Sequence, residues 1–345
     1  MLSVDAAADR RDFTVRAAFD VADGERVALF GPSGAGKTTV LEVIAGLVAP
    51  ARGRVELGGR VLTSTGTSAG TAAPAVAVPP WLRRVGLLRQ DPGLFPHLTV
   101  RANLTYARSA RSDPGGELAE IATSLGIDGL LAAMPARLSG GQRHRVALGR
   151  LLLAHCDALL FDEPFASLDA ALRRSLTALV KDLSSQRSVP AVLVTHQLSD
   201  AQAFADRLLV MDRGAILQAG APDEVVLRPG SRRVAELVGY LGFVPVGGAG
   251  DSAGGPGVVA GVHPDRVLPG AEPDRGLIVT GTVTAARPSG AGWEADVLVG
   301  DAPFTCRLPS RPVGAQLSVT VLDPPYFGPD GALRQTARPR STGTA

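Results

Sequence analysis

Four short stretches carry residue types at spacings that can do chemistry. The first is the glycine-rich run Gly31-Pro32-Ser33-Gly34-Ala35-Gly36-Lys37-Thr38, followed by Thr39. Its glycines let consecutive backbone N–H groups turn toward phosphate oxygens. Lys37 is placed to reach the outer phosphates of a nucleoside triphosphate, and the Thr38 hydroxyl to ligate Mg2+. The second is Leu138-Ser139-Gly140-Gly141-Gln142, which fits a capping box and so reads at least as a well-capped helix start. The third is the carboxylate pair Asp162-Glu163 after the apolar run Ala158 to Phe161. On its own the pair reads more readily as an exposed turn than as a site for metal and water. The fourth is His196, just past the apolar run Pro190 to Thr195, where a histidine is ordinarily a simple cap.

The flanking elements decide whether such residues can be positioned. Arg26 to Phe30 reads as a short apolar strand and Lys37 to Val48 as a helix, the strand–loop–helix context a phosphate loop requires. Phe13 to Phe19 alternates like an edge strand, with Val15 and Ala17 on the side of Phe13. Thr63 to Pro80 is nearly all Thr, Ser, Gly, Ala, Val and Pro and reads as a mobile insertion. Trp81 to Leu88 resumes structure and ends at Gln90, by itself an ordinary polar strand end. Thr99 to Ala110 and Glu117 to Leu125 read as helices around Asp113-Pro114-Gly115-Gly116. Asp157 to Phe161 is a buried strand, which leaves Asp162 and Glu163 at its carboxyl end, where ligands collect in open α/β sheets. His97 and His144 read as surface or packing histidines, His144 on the outer face of its helix. Beyond the glycine-rich Gly247 to Gly257 the pattern changes to short alternating strands and predicts a small OB-like β domain.

Composition narrows the class. In 345 residues, 35 basic and 33 acidic side chains leave a net charge of +2, and aromatics make up 4%. Neither a nucleic-acid footprint nor a base-stacking surface is visible, so no nucleic-acid partner is expected. Cys156 and Cys306 stand far apart and predict neither a disulfide framework nor a metal site. No run approaches the ~18 apolar residues of a spanning helix, and Met1 to Arg11 lacks the apolar segment of a signal peptide. The chain is therefore expected to be soluble and cytoplasmic. Lysine occurs only at positions 37 and 181. Its survival in the loop, in a chain so biased to arginine, suggests a need for a compact ammonium.

Taken in order, the glycine loop, Gln90, Leu138 to Gln142, Asp162-Glu163 and His196 resemble the ATP-binding-cassette (ABC) family of ATPases. The resemblance covers roughly residues 12 to 240 strongly and the remainder weakly. It implies an α/β P-loop NTPase fold over 1–240 with a helical subdomain about 91–155. A linker at 241–257, a small all-β regulatory domain at 258–330 and a disordered tail at 331–345 complete the expected organisation. The cofactors implied are ATP and Mg2+. Gly31, Pro32, Ser33, Gly34, Ala35, Gly36, Lys37, Thr38 and Thr39 are then the ATP-binding residues, and Thr38, Gln90 and Asp162 the metal ligands. Glu163 polarises the attacking water, His196 contacts the γ-phosphate and orders Glu163, and Gln90 touches both Mg2+ and the water. Ser139, Gly140, Gly141 and Gln142 serve the ATP of an opposite subunit, and Asp169 in Ser167-Leu168-Asp169 lies in the loop that crosses to it.

The same resemblance implies partners: a second copy of the chain in a head-to-tail homodimer, integral membrane permease subunits, and indirectly a solute-binding protein. It places the chain in the cytoplasm, peripheral on the inner face of the cell membrane. Many members carry a tyrosine before the loop that stacks on adenine. None is present here, which leaves Phe13, or the arginines at 10 and 11, as the substitute; Phe13 is equally a core residue. The short N-terminal strand, the wording Ala-Leu-Phe-Gly-Pro-Ser-Gly-Ala-Gly-Lys-Thr-Thr and the run Leu94-Phe95-Pro96-His97 look most like molybdate importers. Sulfate, ferric-iron and polyamine importers share much of it. A DNA-organising member would need long heptad segments between Lys37 and Ser139, and a ribosome-acting one usually carries two cassettes; neither is seen.

Overall fold

The computed structural model describes residues 1–68, 71–72, 75–106, 116–165, 170–246, 257–290 and 292–334. It divides into two compact units, Met1–Pro222 and Asp223–Ala345.

In the first unit, near-continuous apolar runs become the middle of a six-stranded sheet. Its order is Ala215–Gly220, Arg207–Asp212, Arg26–Phe30, Ala191–Thr195, Ala158–Asp162, Val85–Leu88, parallel throughout except for the first strand. Every residue of Ala158–Asp162 and Ala191–Thr195 is buried, as expected of strands covered on both faces. A second, antiparallel sheet runs Thr14–Val21, Leu2–Asp9, Arg52–Leu57, Arg60–Ser64, Val76–Ala77. The phosphate helix, Lys37–Ala45, contributes Val40, Leu41, Val43 and Ile44 to one core shared with residues of both sheets. Burying this helix on several sides holds its N-terminal end rigidly against the parallel strands.

Thr14–Val21 is an edge strand and turns Val15 and Ala17 inward, in agreement with the alternation in the sequence. Its neighbour Leu2–Asp9 was not anticipated: its charges sit among buried Leu2, Val4, Ala6 and Ala8, too short a pattern to stand out. The expected mobile insertion at Thr63–Pro80 is corrected at both ends. Thr63 and Ser64 are buried strand residues, and Val76–Ala77 pairs back onto them. Arg83 supplies the reason. Its buried guanidinium donates to Thr63 Oγ1 (2.8 Å), to the Val78 carbonyl (2.8 Å), and to the Val43 and Ile44 carbonyls (3.2 and 2.9 Å). One cation therefore caps the C-terminal end of the phosphate helix and pins the segment beside it.

The helices expected between Gln90 and the second motif are Val100–Thr105 and Glu117–Ser124; 107–115 lie outside the described residues. Thr99 caps the first of them through its side chain, and Asn103 fastens it to the Leu94–Thr99 turn by accepting from Phe95 N–H (2.8 Å) and donating to the Phe95 and Leu98 carbonyls.

The second unit begins with the helices Pro222–Leu227, at the boundary, and Arg232–Leu237. It then forms an antiparallel sheet in the order Val267–Pro269, Gln316–Val321, Leu277–Ser289, Gly292–Val299, Ala302–Leu308, and a smaller one built on Phe243–Pro245, Val259–Gly261, Tyr326–Phe327 and Leu333–Arg334. Inward-facing Val279, Ala295, Val297, Phe304, Cys306 and Val319 make its core, so Cys306 is a packing residue. Residues 331–334, expected in a disordered tail, include a strand paired with Tyr326–Phe327. Of the expected linker 241–257, Phe243–Pro245 is instead a strand paired with Val259–Gly261, with Val244 and Val246 in the core; residues 247–256 and the tail from 335 lie outside the described residues.

Candidate functional site

The parallel strands place the candidate residues side by side because all of them sit at the same, carboxyl, edge. Phe30 runs into the glycine loop, Thr195 into His196, Asp162 into Glu163, and Leu88 ends two residues before Gln90. These four strands are immediate neighbours, paired in register Thr195 with Phe30, Asp162 with Val194, and Phe161 with Leu88. Residues far apart in sequence thus converge on one edge of the sheet.

The loop is shaped by glycines. Gly34 and Gly36 hold φ of 80° and 100°, in the left-handed region where a side chain is strained, and Gly36 is the residue from which the helix starts. A Cβ on Gly31 would come within 2.0 Å of the Met211 carbonyl oxygen, so the loop lies directly on the neighbouring strand. The N–H groups of Lys37, Thr38 and Thr39 belong to the first helical turn and have no intrahelical acceptor. They form the cradle expected of an anion site. Lys37 folds back over the loop, and its ammonium donates to the Gly31 and Pro32 carbonyls (2.8 and 2.9 Å). Burial pushes its pKa down, opposed by the charges of Glu163 and Asp162. The cation therefore sits between the loop and the carboxylate pair.

Thr38 and Asp162 are joined directly. The Thr38 hydroxyl lies 3.1 and 3.0 Å from the two carboxylate oxygens of buried Asp162. Burial raises the Asp162 pKa, the Thr38 hydrogen bond lowers it, and the nearby charges of Glu163 and Glu42 raise it again. A hydroxyl and a carboxylate converging in this way are hard oxygen donors of the kind Mg2+ accepts while keeping several waters.

Glu163 adopts φ of 50°, unusual for a residue with a side chain, while its N–H donates to the Val194 carbonyl (3.0 Å). The strained backbone turns its carboxylate toward His196, whose Nδ1 lies 2.9 Å from Glu163 Oε1. His196 is thus more than a strand cap. Gln90 is exposed just past the strand end.

Ser139 caps the signature helix, Gly140–Leu152, and both hydrogen bonds of the capping box are present: Gln142 N–H to Ser139 Oγ at 3.2 Å and Ser139 N–H to Gln142 Oε1 at 2.8 Å. Ser139 and Gly140 are exposed, and Gly141 and Gln142 half-buried, so this helix end presents its N–H groups outward. Phe13 is half-buried against the core; a Cβ on Gly214 would come within 2.7 Å of its ring. Asp169, with Ser167 and Leu168, lies outside the described residues.

One reading is corrected. His144 is buried, not on the helix surface, and among the described residues its Nε2 has no hydrogen-bond partner. Burial pushes its pKa below that of an ordinary imidazole, and the ring faces the Pro164 carbonyl, next to Glu163. The signal was present: Ala147, Leu148 and Leu151, all buried, stand three, four and seven residues on, so His144 shares their stripe. Arg10 and Glu42 meet beside the loop, a pairing that no sequence spacing marks.

Residues 15–166 match the ABC transporter family. The chain is 39% identical over 239 residues to the Fe(3+) ions import ATP-binding protein of Mesorhizobium japonicum, covering 69% of this chain and 64% of that one. It is 34% identical over 319 residues to the sulfoquinovosyl glycerol transport ATP-binding protein of Agrobacterium fabrum, covering 85% of each. A solved structure described as the ATP-binding subunit of an ABC transporter superposes with a TM-score of 0.55 at 25% identity, over 69% of this chain and 94% of that one. Other relatives at 38–40% identity are named for trehalose/maltose, molybdate/tungstate and sulfate/thiosulfate import, so molybdate is not singled out. The chain spans less than two thirds of the length of several of these relatives. Motif order, strand-edge geometry and these matches lead to one conclusion: the chain belongs to the ABC transporter family of ATP-binding proteins.

Proposed function

We propose that this chain is the ATP-hydrolysing subunit of a bacterial ABC importer, working as a head-to-tail homodimer on the cytoplasmic face of the membrane. The observation that carries the reading is the Glu163–His196 contact of 2.9 Å beside the Thr38–Asp162 pair. A carboxylate meant to polarise water must be held in one orientation next to the phosphate loop, and His196 holds it. Lys37 and the loop N–H groups bind the outer phosphates. Thr38 and Asp162, with Gln90, would hold Mg2+, which would supply neutralisation of phosphate charge.

The γ-phosphate of such a nucleotide keeps one open side. In this reading the outward-facing start of the signature helix of a second copy covers it, through Ser139 and the N–H groups after it. ATP then acts as an adhesive between two copies, hydrolysis removes the charge that held them, and Asp169 belongs to the crossing loop. Opening and closing would work on permease subunits fed by a solute-binding protein. For the solute we keep molybdate, on the wording around the loop and Leu94–His97. Stimulation of the reconstituted transporter by binding protein loaded with molybdate, and not with sulfate, iron or polyamine, tests that choice.

Glu163→Gln is expected to bind ATP normally yet hydrolyse it about 10²–10⁴-fold more slowly, and to let an ATP-bound dimer be isolated by size-exclusion chromatography. Wild-type turnover in this variant would remove Glu163 from the mechanism.

A further inference from the structure

The turn between Leu2–Asp9 and Thr14–Val21 is fastened at both ends. Arg10 N–H donates to the Phe13 carbonyl (2.9 Å), and Thr14 Oγ1 donates to Asp9 (2.7 Å). From this fixed turn the Arg10 side chain reaches onto the first turns of the phosphate helix. Its Nε donates to Thr39 Oγ1 at 2.8 Å and its Nη2 to Glu42 Oε2 at 2.9 Å. The other oxygen of Glu42 faces Arg89, 3.5 Å away, next to Gln90. Glu42 stands one helical turn after Thr38. A carboxylate here adds negative charge to a place meant for phosphate, and the two arginines offset it. Phe13, from the same turn, packs inward against Gly214 and the core.

We propose that Arg10 is a nucleotide-binding residue that contacts the phosphate nearest the ribose, with Thr39 and Glu42 as the residues that position it. This rests on the reading of Gly31 to Thr39 as the nucleotide site. Lys37 and Thr38 are committed to the outer phosphates. Thr39 is the last residue whose N–H points out of the helix start, and the guanidinium is tied to its hydroxyl. Among the described residues the two contacts use Nε and Nη2, which leaves both Nη1 hydrogens for a further acceptor. A planar fork held in place from behind suits a phosphate oxygen better than a mobile ammonium.

The test is equilibrium titration of the full-length protein with MgATP, MgADP and MgGTP. Arg10→Gln is expected to weaken all three alike, by about tenfold or more, because each carries the inner phosphate, and Arg10→Lys by less. Glu42→Gln, which keeps the Arg10 charge but loosens its anchor, should weaken all three by a smaller factor. Unchanged affinity in Arg10→Gln overturns the proposal. So does a loss confined to ATP over GTP, which would mark a contact with the base, or to ATP over ADP, which would mark the outermost phosphate. Should Arg10→Gln fail to fold, the Arg10→Lys and Glu42→Gln titrations decide in the same terms. Failure of the wild type to bind nucleotide, or undiminished binding in Lys37→Ala, would instead sink the reading of the loop.

Discussion

Glu163 shows how one residue carries two demands. Its backbone sits in a conformation that costs on the order of 1–3 kcal/mol, and it is held there by its own N–H bond to Val194 and by His196. The strain turns the carboxylate out of the line of the strand, while Asp162, one residue earlier, stays in it and meets Thr38. Adjacent carboxylates therefore face different partners. His196→Ala should leave the fold and ATP affinity near wild type but release the Glu163 carboxylate. Turnover is expected to drop by about 10²-fold, read as a fall in kcat with little change in KM. An unchanged kcat would reduce His196 to the strand cap that its local sequence alone describes.

Among the elements, the phosphate helix is the most constrained. Its N-terminal end is set by Gly36, its body is buried between two sheets, and its C-terminal carbonyls are capped by Arg83. Replacing Arg83 with Met would take this donor from the enclosed Ile44 carbonyl and Thr63 hydroxyl, and would leave the Val43 carbonyl only the Gly46 N–H. A loss of about 3 kcal/mol is expected, measured as a lower urea midpoint. The signature helix is secured differently, by a local capping box at one end and by a buried stripe that includes His144. Local chemistry was enough to anticipate that box. The burial of His144 is legible too, in its helical spacing to Leu148 and Leu151.

At the scale of the molecule, the exposed start of the signature helix and the phosphate loop belong to one chain, yet the proposed chemistry joins the helix start of one copy to the loop of another. Ser139→Asp separates the roles of that serine. Aspartate is as good an N-cap as serine, so thermal stability should hold within a degree or two of wild type. Its negative charge should repel the partner's γ-phosphate, abolish ATP-driven dimerisation in analytical ultracentrifugation and remove most hydrolysis. A dimer that still forms with ATP would contradict the two-copy site. The second unit is a β domain with its own core, and Cys306 is part of it.

By itself the sequence determined the loop, the capping box, the order of the motifs and the alternating strands, and through them the family. The loop, the capping box and the alternation each depend on residues within a few positions of one another, where backbone geometry leaves few solutions. Tertiary structure decided what depends on partners far along the chain. Arg83 finds Val43 and Thr63, Arg10 finds Thr39 and Glu42, and Leu2–Asp9 gains meaning only once it pairs with Arg52–Leu57. No periodicity marks an arginine that will be buried: its burial is affordable only where several carbonyls and hydroxyls from separate segments arrive together, and that meeting exists only in the folded chain.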